Sequence, residues 1–337
     1  MTQVSVLVPI KADDHQDVTW LCQALDSVLI QSYSDWEVIV VNDHSPIPLK
    51  DSKELRARFR DSRISGVKAT KHGVANARNQ AAEKAEGKFL LAFDADDELP
   101  PNALQLHNKH WPGDGITYGD TLLFGPNFRR SLVGKRYDFR LLLDVLYLPV
   151  GSMHLKEAWR KVGGWKPAME NGLEDWEYWI ALGEIGVCGH YIPEVTYHYR
   201  RHPRGRLAHL QKNPDEYLKA QAKMRSLHQK AYDGRDTMPG CCGGGGSGAA
   251  NANTGIQAPP PTTAQIMQRV SPAGLIPIRY TGRRKEEFYV KGRSTGIQYA
   301  VPGRGHLLKR PDGREGVHPP DVGWILQLEG GVSFARA

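Results

Sequence analysis

Nowhere in the 337 residues do about eighteen apolar residues run together, so no membrane-spanning helix is expected. Cysteine is scarce. Cys22, Cys188, Cys241 and Cys242 have spacings that fit neither a zinc-binding pattern nor a disulfide framework, and a reducing, cytoplasmic setting is the expectation. The opening Met1 to Pro9 has no basic segment ahead of an apolar one and is not expected to be a leader. Charge of one sign is also modest, at a net +7. The excess sits in the tail, where 11 Lys and Arg face 6 Asp and Glu from Ser271 onward. A basic tail of that size is more often a solvated face than a nucleic-acid site, so nucleic acid is not the expected partner.

What is present is a rhythm. Val4 to Ile10 is an apolar run broken only by Ser5, as a buried parallel strand requires. Leu21, Leu25, Val28 and Leu29 follow at helical spacing. Trp36 to Val41 is a second strand, 52–60 a helix, Ile64 to Ala69 a short strand, and Val74 to Ala85 an Ala-rich helix stopped by Gly87. Lys88 to Phe93 is a third buried strand, running straight into Asp94-Ala95-Asp96-Asp97. Strand and helix alternating this way predict an α/β fold with a mostly parallel sheet and flanking helices. Ligands of such sheets sit at the carboxyl ends of the strands. Lys11 and Asp13, Asn42 and Asp43, and Asp94 and Asp96 are therefore expected to converge on one cleft.

Beyond residue 100 the pattern mixes. Strands are expected over Gly115 to Phe124 and Val150 to His154, and helices over Lys156 to Val162, Leu173 to Leu182 and Asp215 to Tyr232. Composition then breaks at Pro239-Gly240-Cys241-Cys242 and a glycine run that grades into Pro259-Pro260-Pro261. The expected organisation is a domain over 1–235, a flexible Gly/Pro-rich linker over 236–272, and a small all-β module over 273–337. Its expected strands are Ile276 to Tyr280, Glu287 to Lys291, Gly296 to Val301 and Trp324 to Leu328.

Four segments carry chemistry. Asp94 and Asp96, two carboxylates just past a buried strand, suit Mn²⁺ or Mg²⁺ shared with a substrate phosphate, although acidic turns are common without an ion. Glu174 and Asp175 open a helix, where an acid either completes the dipole or takes a proton. Arg78 and Asn79 lie in the first turns of the Ala-rich helix, near the cleft edge. Tyr197-His198-Tyr199-Arg200-Arg201-His202-Pro203-Arg204 crowds His and Arg together, either as a basic surface loop or as cations and a ligand for a diphosphate.

The order and spacing of V-V-N-D-H-S, G-V-A-N-A-R-N, F-D-A-D-D, G-G-W, E-D-W-x-x-W and Y-x-Y-R-x-H resemble the family-two glycosyltransferases, inverting enzymes of the GT-A fold, over residues 3–205. The resemblance implies a nucleotide-sugar donor, UDP-linked in the usual case, and transfer to a hydroxyl of a glycan, lipid or protein. It gives Pro9 to the nucleotide pocket, Asp43 to the base, Arg78 to the side of the nucleotide and Asp94 to ribose or metal. Asp96 becomes the metal ligand, Asp175 the catalytic base with Glu174 beside it, and His202 a metal or diphosphate contact, with His198 its rival. The sequence departs from the family pattern at Asn42, His44 and His72, positions that bear on the choice of base.

The tail resembles short β domains of bacteriophage structural proteins, through Ile278 to Gly282, Phe288 to Gly292 and Thr295 to Tyr299. That implies a phage-encoded protein, in host cytoplasm or virion, whose tail meets a virion protein. The alternative function is a catalytically silent GT-A module that binds carbohydrate or nucleotide in a virion or surface assembly; the intact acids argue against it. A nucleotidyltransferase would need a glycine-rich basic loop after the first strand, and Lys11-Ala12-Asp13-Asp14-His15 has no glycine.

Overall fold

In the computed structural model the described residues are 3–126, 128–169 and 172–234, together with four short strands of the tail. Contacts divide the chain into two units at Gly244/Gly245, inside the expected linker.

The first unit is built on one sheet. Its strands are β1 (Val4–Ile10), β2 (Trp36–Asn42), β3 (Ile64–Lys68), β4 (Phe89–Ala92), β5 (Ile116–Gly125), β6 (Phe128–Leu132), β7 (Met153–Leu155) and β8 (Gly189–Arg200). The order is β3-β2-β1-β4-β7-β5-β6, with β8 also on β5. The first four strands are parallel; β7 runs antiparallel between β4 and β5, and β8 lies parallel to β5.

The helices are α1 (His15–Leu29), α2 (Lys53–Arg58), α3 (Val74–Lys84), α4 (Ala103–Lys109), α5 (Phe139–Leu142), α6 (Lys156–Val162), α7 (Glu174–Glu184), α8 (Arg206–Lys212), α9 (Pro214–Leu227) and α10 (Gln229–Asp233). None is long and apolar enough to cross a membrane.

Every residue of β1 is buried, which is why the run is apolar. Each fully buried aliphatic side chain there contributes about 1.5–3 kcal/mol. Ser5 is the exception with a reason: its hydroxyl donates to Glu37 Oε1 (2.6 Å) and accepts the Gly87 N–H (2.9 Å). A Cβ on Gly87 would stand 2.5 Å from that same oxygen, so the strand turn closes only with glycine. Alanines 75, 77, 81 and 82 of α3 are buried, letting the helix lie close on β1 and β2.

Several expected bounds move. The strand placed at Val150 is β7, starting at Met153, and the single helix over Asp215 to Tyr232 is two, α9 and α10, joined at His228. Tyr197 to Arg200, weighed as a surface loop, is the end of β8, with Tyr197 fully buried. Cys188 is disulfide-bonded, which the spacing does not foretell.

In the second unit β9 (Ile278–Tyr280) pairs antiparallel with β12 (Phe334–Arg336), and β10 (Phe288–Lys291) with β11 (Gln298–Val301). The strand expected at Trp324 to Leu328, the linker and most of the module's turns lie outside the described residues.

Candidate active site

A cleft of about 350 Å³ opens at the carboxyl ends of β1 and β4. Pro9, Lys11, Asp13, Arg78, Asp94, Asp96, Glu174 and His202 line it, with Trp20, Tyr199, Arg204 and Arg206. The convergence expected from the strand ends thus holds for β1 and β4. Asn42 and Asp43 stand aside from the cleft, at the end of β2, where Asp43 Oδ2 accepts the Gly73 N–H (2.9 Å) at the start of α3.

Arg78 is the hub. It is 2% exposed, held on the buried face of α3, and its two terminal nitrogens diverge. Nη2 donates to Asp94 Oδ1 (2.6 Å) and Nη1 to Glu174 Oε1 (2.9 Å). One guanidinium therefore ties an acid of the β4 end to an acid on α7, 96 residues beyond Arg78 itself. Burial opposes its charge, but Asp94, Glu174 and Asp175 outweigh burial and raise its pKa. Burial pushes the Asp94 carboxyl up, Arg78 pulls it down and neighbouring Asp96 pushes it up again.

Asp175 differs from Glu174. Its Oδ1 accepts only the N–H of the next residue, Trp176 (2.8 Å), and among the described residues it has no ion-pair partner. Burial first and the Glu174 charge second push it up to about 7, against the pull of Arg78. Leu173, just before the pair, has φ 66°, and His44, just after Asp43, has φ 55°. Each left-handed conformation at a residue with a Cβ costs about 1–2 kcal/mol. They are the two non-glycine residues of positive φ among those described, and each adjoins an expected site acid.

The acidic turn divides its labour. Asp94, Asp96 and Asp97 offer carboxylate oxygens within 4.8 Å of one another. Asp97 is already used: it accepts the Tyr197 hydroxyl (2.6 Å) and the Arg200 N–H (2.7 Å), binding the turn to β8. Its burial, with Asp96 and Asp94 beside it, raises its pKa well above the carboxylate range. Asp96 Oδ2 accepts a hydrogen bond from His202 Nε2 (2.8 Å). Asp94 Oδ2 and Asp96 Oδ1 have no hydrogen-bond partner among the described residues, and His202 Nδ1 is buried without one. Two free carboxylate oxygens with an imidazole alongside fit a hard divalent cation. His198 lies elsewhere, paired through its backbone with Glu98.

The sequence reading missed Trp20, whose ring lies 4.3 Å from that of His202 and under the Arg204 guanidinium. Arg204 also donates to Asp14 and Asp17, the capping pair of α1. A capping box with a Trp one turn on gave no signal of this.

Asn79 faces the other way from Arg78. Its Oδ1 accepts the Trp165 N–H (2.9 Å) and Trp159 Nε1–H (3.0 Å), and its amide donates to Trp165 O (2.7 Å). Gly164 has φ 72°, and a Cβ there would stand 2.2 Å from Asn79 Oδ1, so A-R-N and G-G-W are two sides of one contact.

Residues 5–141 match the model of glycosyl transferase family 2. Over this part the chain is similar to the family-two glycosyltransferases. The match ends before α7; Glu174 and His202 touch the matched residues at Arg78 and Asp96, and Asp175 stands next to Glu174. An uncharacterized glycosyltransferase of Rickettsia bellii is 31% identical over 119 residues, 35% of this chain and 16% of that one. The Escherichia coli UDP-Glc:alpha-D-GlcNAc-diphosphoundecaprenol beta-1,3-glucosyltransferase is 31% identical over 136 residues, covering 39% of this chain and 49% of that one. The chain therefore spans half or less of these relatives. A mannosyltransferase of Pyrobaculum calidifontis, solved in complex with GDP-Man and Mn²⁺, superposes with a TM-score of 0.50 at 20% identity over 66% of this chain and 63% of its own, a likeness of fold.

Proposed function

We propose that the chain is an inverting, metal-assisted glycosyltransferase that moves a sugar from a nucleotide-diphosphate donor, UDP-linked, to an acceptor hydroxyl of a glycan, lipid or protein. The UDP-Glc donor named for the Escherichia coli relative supports the choice of nucleotide. One observation carries the reading: Arg78 engages Asp94 and Glu174, and leaves Asp175 as an unpaired carboxylate with a pKa of about 7.

A general base poised near the working pH is the most efficient one. Asp175 accepts the proton of the acceptor hydroxyl as its oxygen bonds to the anomeric carbon. The bond from that carbon to the diphosphate breaks on the opposite face, so configuration inverts. Glu174 is engaged by Arg78 and so is held away from that role. Asp94 and Asp96, with His202 alongside, would hold Mn²⁺ or Mg²⁺, which neutralises charge on the departing diphosphate. Arg204 and Arg206 line the same cleft and add positive charge there. Pro9 borders the donor, and Asp43 meets its base one strand over.

The test is a panel of nucleotide sugars with Mn²⁺. Asp175→Asn is expected to slow transfer by about 10²–10⁴ and leave donor affinity nearly unchanged, whereas Asp96→Ala should abolish Mn²⁺-dependent UDP binding in calorimetry. Because the base must be ionised, the wild-type rate should rise with pH through about 7 and level off above it. Near wild-type transfer by Asp175→Asn would refute the assignment, and loss in Glu174→Gln instead would reverse the roles of the pair.

A further inference from the structure

The end of β2 and the turn before α3 bring together three side chains that the transfer chemistry does not use as a set. Asp43 is held in place: its side chain is 10% exposed, its N–H donates to Ile10 O (2.7 Å) and its Oδ2 accepts the Gly73 N–H (2.9 Å). Its other oxygen, Oδ1, faces two imidazoles. His44 Nδ1 lies at 3.2 Å and His72 Nδ1 at 3.7 Å. The two rings stack with centroids 3.7 Å apart and planes 28° from parallel.

The backbone on both sides is set. Asn42 Oδ1 accepts the Ser45 N–H (2.9 Å) and Ser45 Oγ accepts the Ala12 N–H (2.8 Å), which hold the turn that carries His44. Asn76 Nδ2 donates to His72 O (2.6 Å).

These separations are those of a ligand set. Atoms at about 2.0–2.1 Å from a tetrahedral ion stand about 3.3 Å from one another. The three ligand atoms here all fall within 4.8 Å, with two of the edges at 3.2 and 3.7 Å. We propose that Asp43, His44 and His72 form a second metal site, which takes a borderline transition ion of the Zn²⁺ class and leaves a fourth position open. Two imidazoles favour such an ion over the hard cations suited to the carboxylates of Asp94 and Asp96. The Gly73 N–H on Asp43 is the outer contact that orients a ligating carboxylate. Stacked rings point their lone pairs side by side, so one must turn. His72, 77% exposed, supplies that movement while His44 and Asp43 stay fixed. The ion would occupy the carboxylate that the donor reading gives to the base, and the two would compete. That competition rests on the donor reading, whereas the ion site does not.

Equilibrium dialysis of the full chain against Zn²⁺, with bound metal measured by atomic absorption, decides it. His72→Phe keeps a ring on His44 and removes both nitrogens. It should bind about one equivalent less than wild type at concentrations that saturate the site, or bind that equivalent on the order of 100-fold more weakly. Asp96→Ala should retain it. The proposal is overturned if His72→Phe binds as many equivalents with the same affinity as wild type, or if Asp96→Ala removes the same equivalent. Melting followed by far-UV circular dichroism checks that each variant folds, and His72→Ala repeats the test without the larger ring.

Discussion

The two halves of the sheet are built differently. In β3-β2-β1-β4 the strands are parallel and alternate along the chain with local helices, and β1, β2 and β4 are largely apolar. In β7, β5, β6 and β8 the strands pair antiparallel or across long stretches of chain, and β5 shifts register against β8 around Asp120. The first half carries Asp94, Asp96 and Arg78. The second half, with the helix and loop that flank β8, supplies what faces them: Glu174 and Asp175 before it, His202 after it. The lesson is that the acids expected to hold the donor and the acid expected to activate the acceptor belong to separately assembled halves, and a few contacts across the seam fix their spacing.

Breaking the central contact should have the largest effect on stability. Arg78→Met removes the shared cation and leaves Asp94 and Glu174 facing each other. Loss of one partner from a buried pair costs about 3–5 kcal/mol, to be read from urea unfolding, and a change within about 1 kcal/mol would show that the halves do not depend on it.

The second test concerns how α10 docks on α7. Burial alone would lower the His228 pKa, but hydrogen bonds to Glu177 (3.0 Å) and Glu184 (2.8 Å) outweigh it and raise it to about 9. A raised histidine pKa stabilises fully below the unfolded value near 6.5, and that contribution is lost as pH rises through about 9. Wild type should lose on the order of 3 kcal/mol across that window, and His228→Gln should flatten the profile. A wild-type profile as flat as that of the variant would contradict the assignment.

The smallest expected effect sharpens the comparison from the other side of α3. Asn79→Ala leaves the Trp165 backbone and the Trp159 indole without their partners. It should cost about 1–3 kcal/mol in thermal unfolding, with Asp175 still titrating near 7 in the rate profile. A shift of that limb would mean that Asn79 also sets the position of the base.

Legibility in the sequence follows the same division. β1, β2 and β4 were readable because strands buried on both faces leave a nearly unbroken apolar run, interrupted by Ser5 and Glu37, and their polar ends announced Asp94 and Asp96. β8 was hidden because its burial alternates irregularly along Gly189–Arg200 and it contains Pro193. Its partner is set by tertiary pairing with β5, which no local period encodes. Asp94, Asp96 and Asp97 look alike in F-D-A-D-D. Only the Tyr197 hydroxyl and the Arg200 N–H, both from the unread strand, show that Asp97 is taken up by the fold. The stack of His44 on His72 joins two departures from the family pattern that are 28 positions apart in the chain and independent on paper.

The back-to-back contacts of Arg78 and Asn79 make α3 a rigid gauge. One residue grips the helix that carries the acid pair, and the next grips the Gly164–Trp165 turn that leads into it. The segment from Gly164 to Glu174 is therefore pinned at both ends to adjacent positions of a single helix. A substitution between these two anchors leaves the distance from Glu174 to Asp94 in the keeping of Arg78, which holds both carboxylates at once.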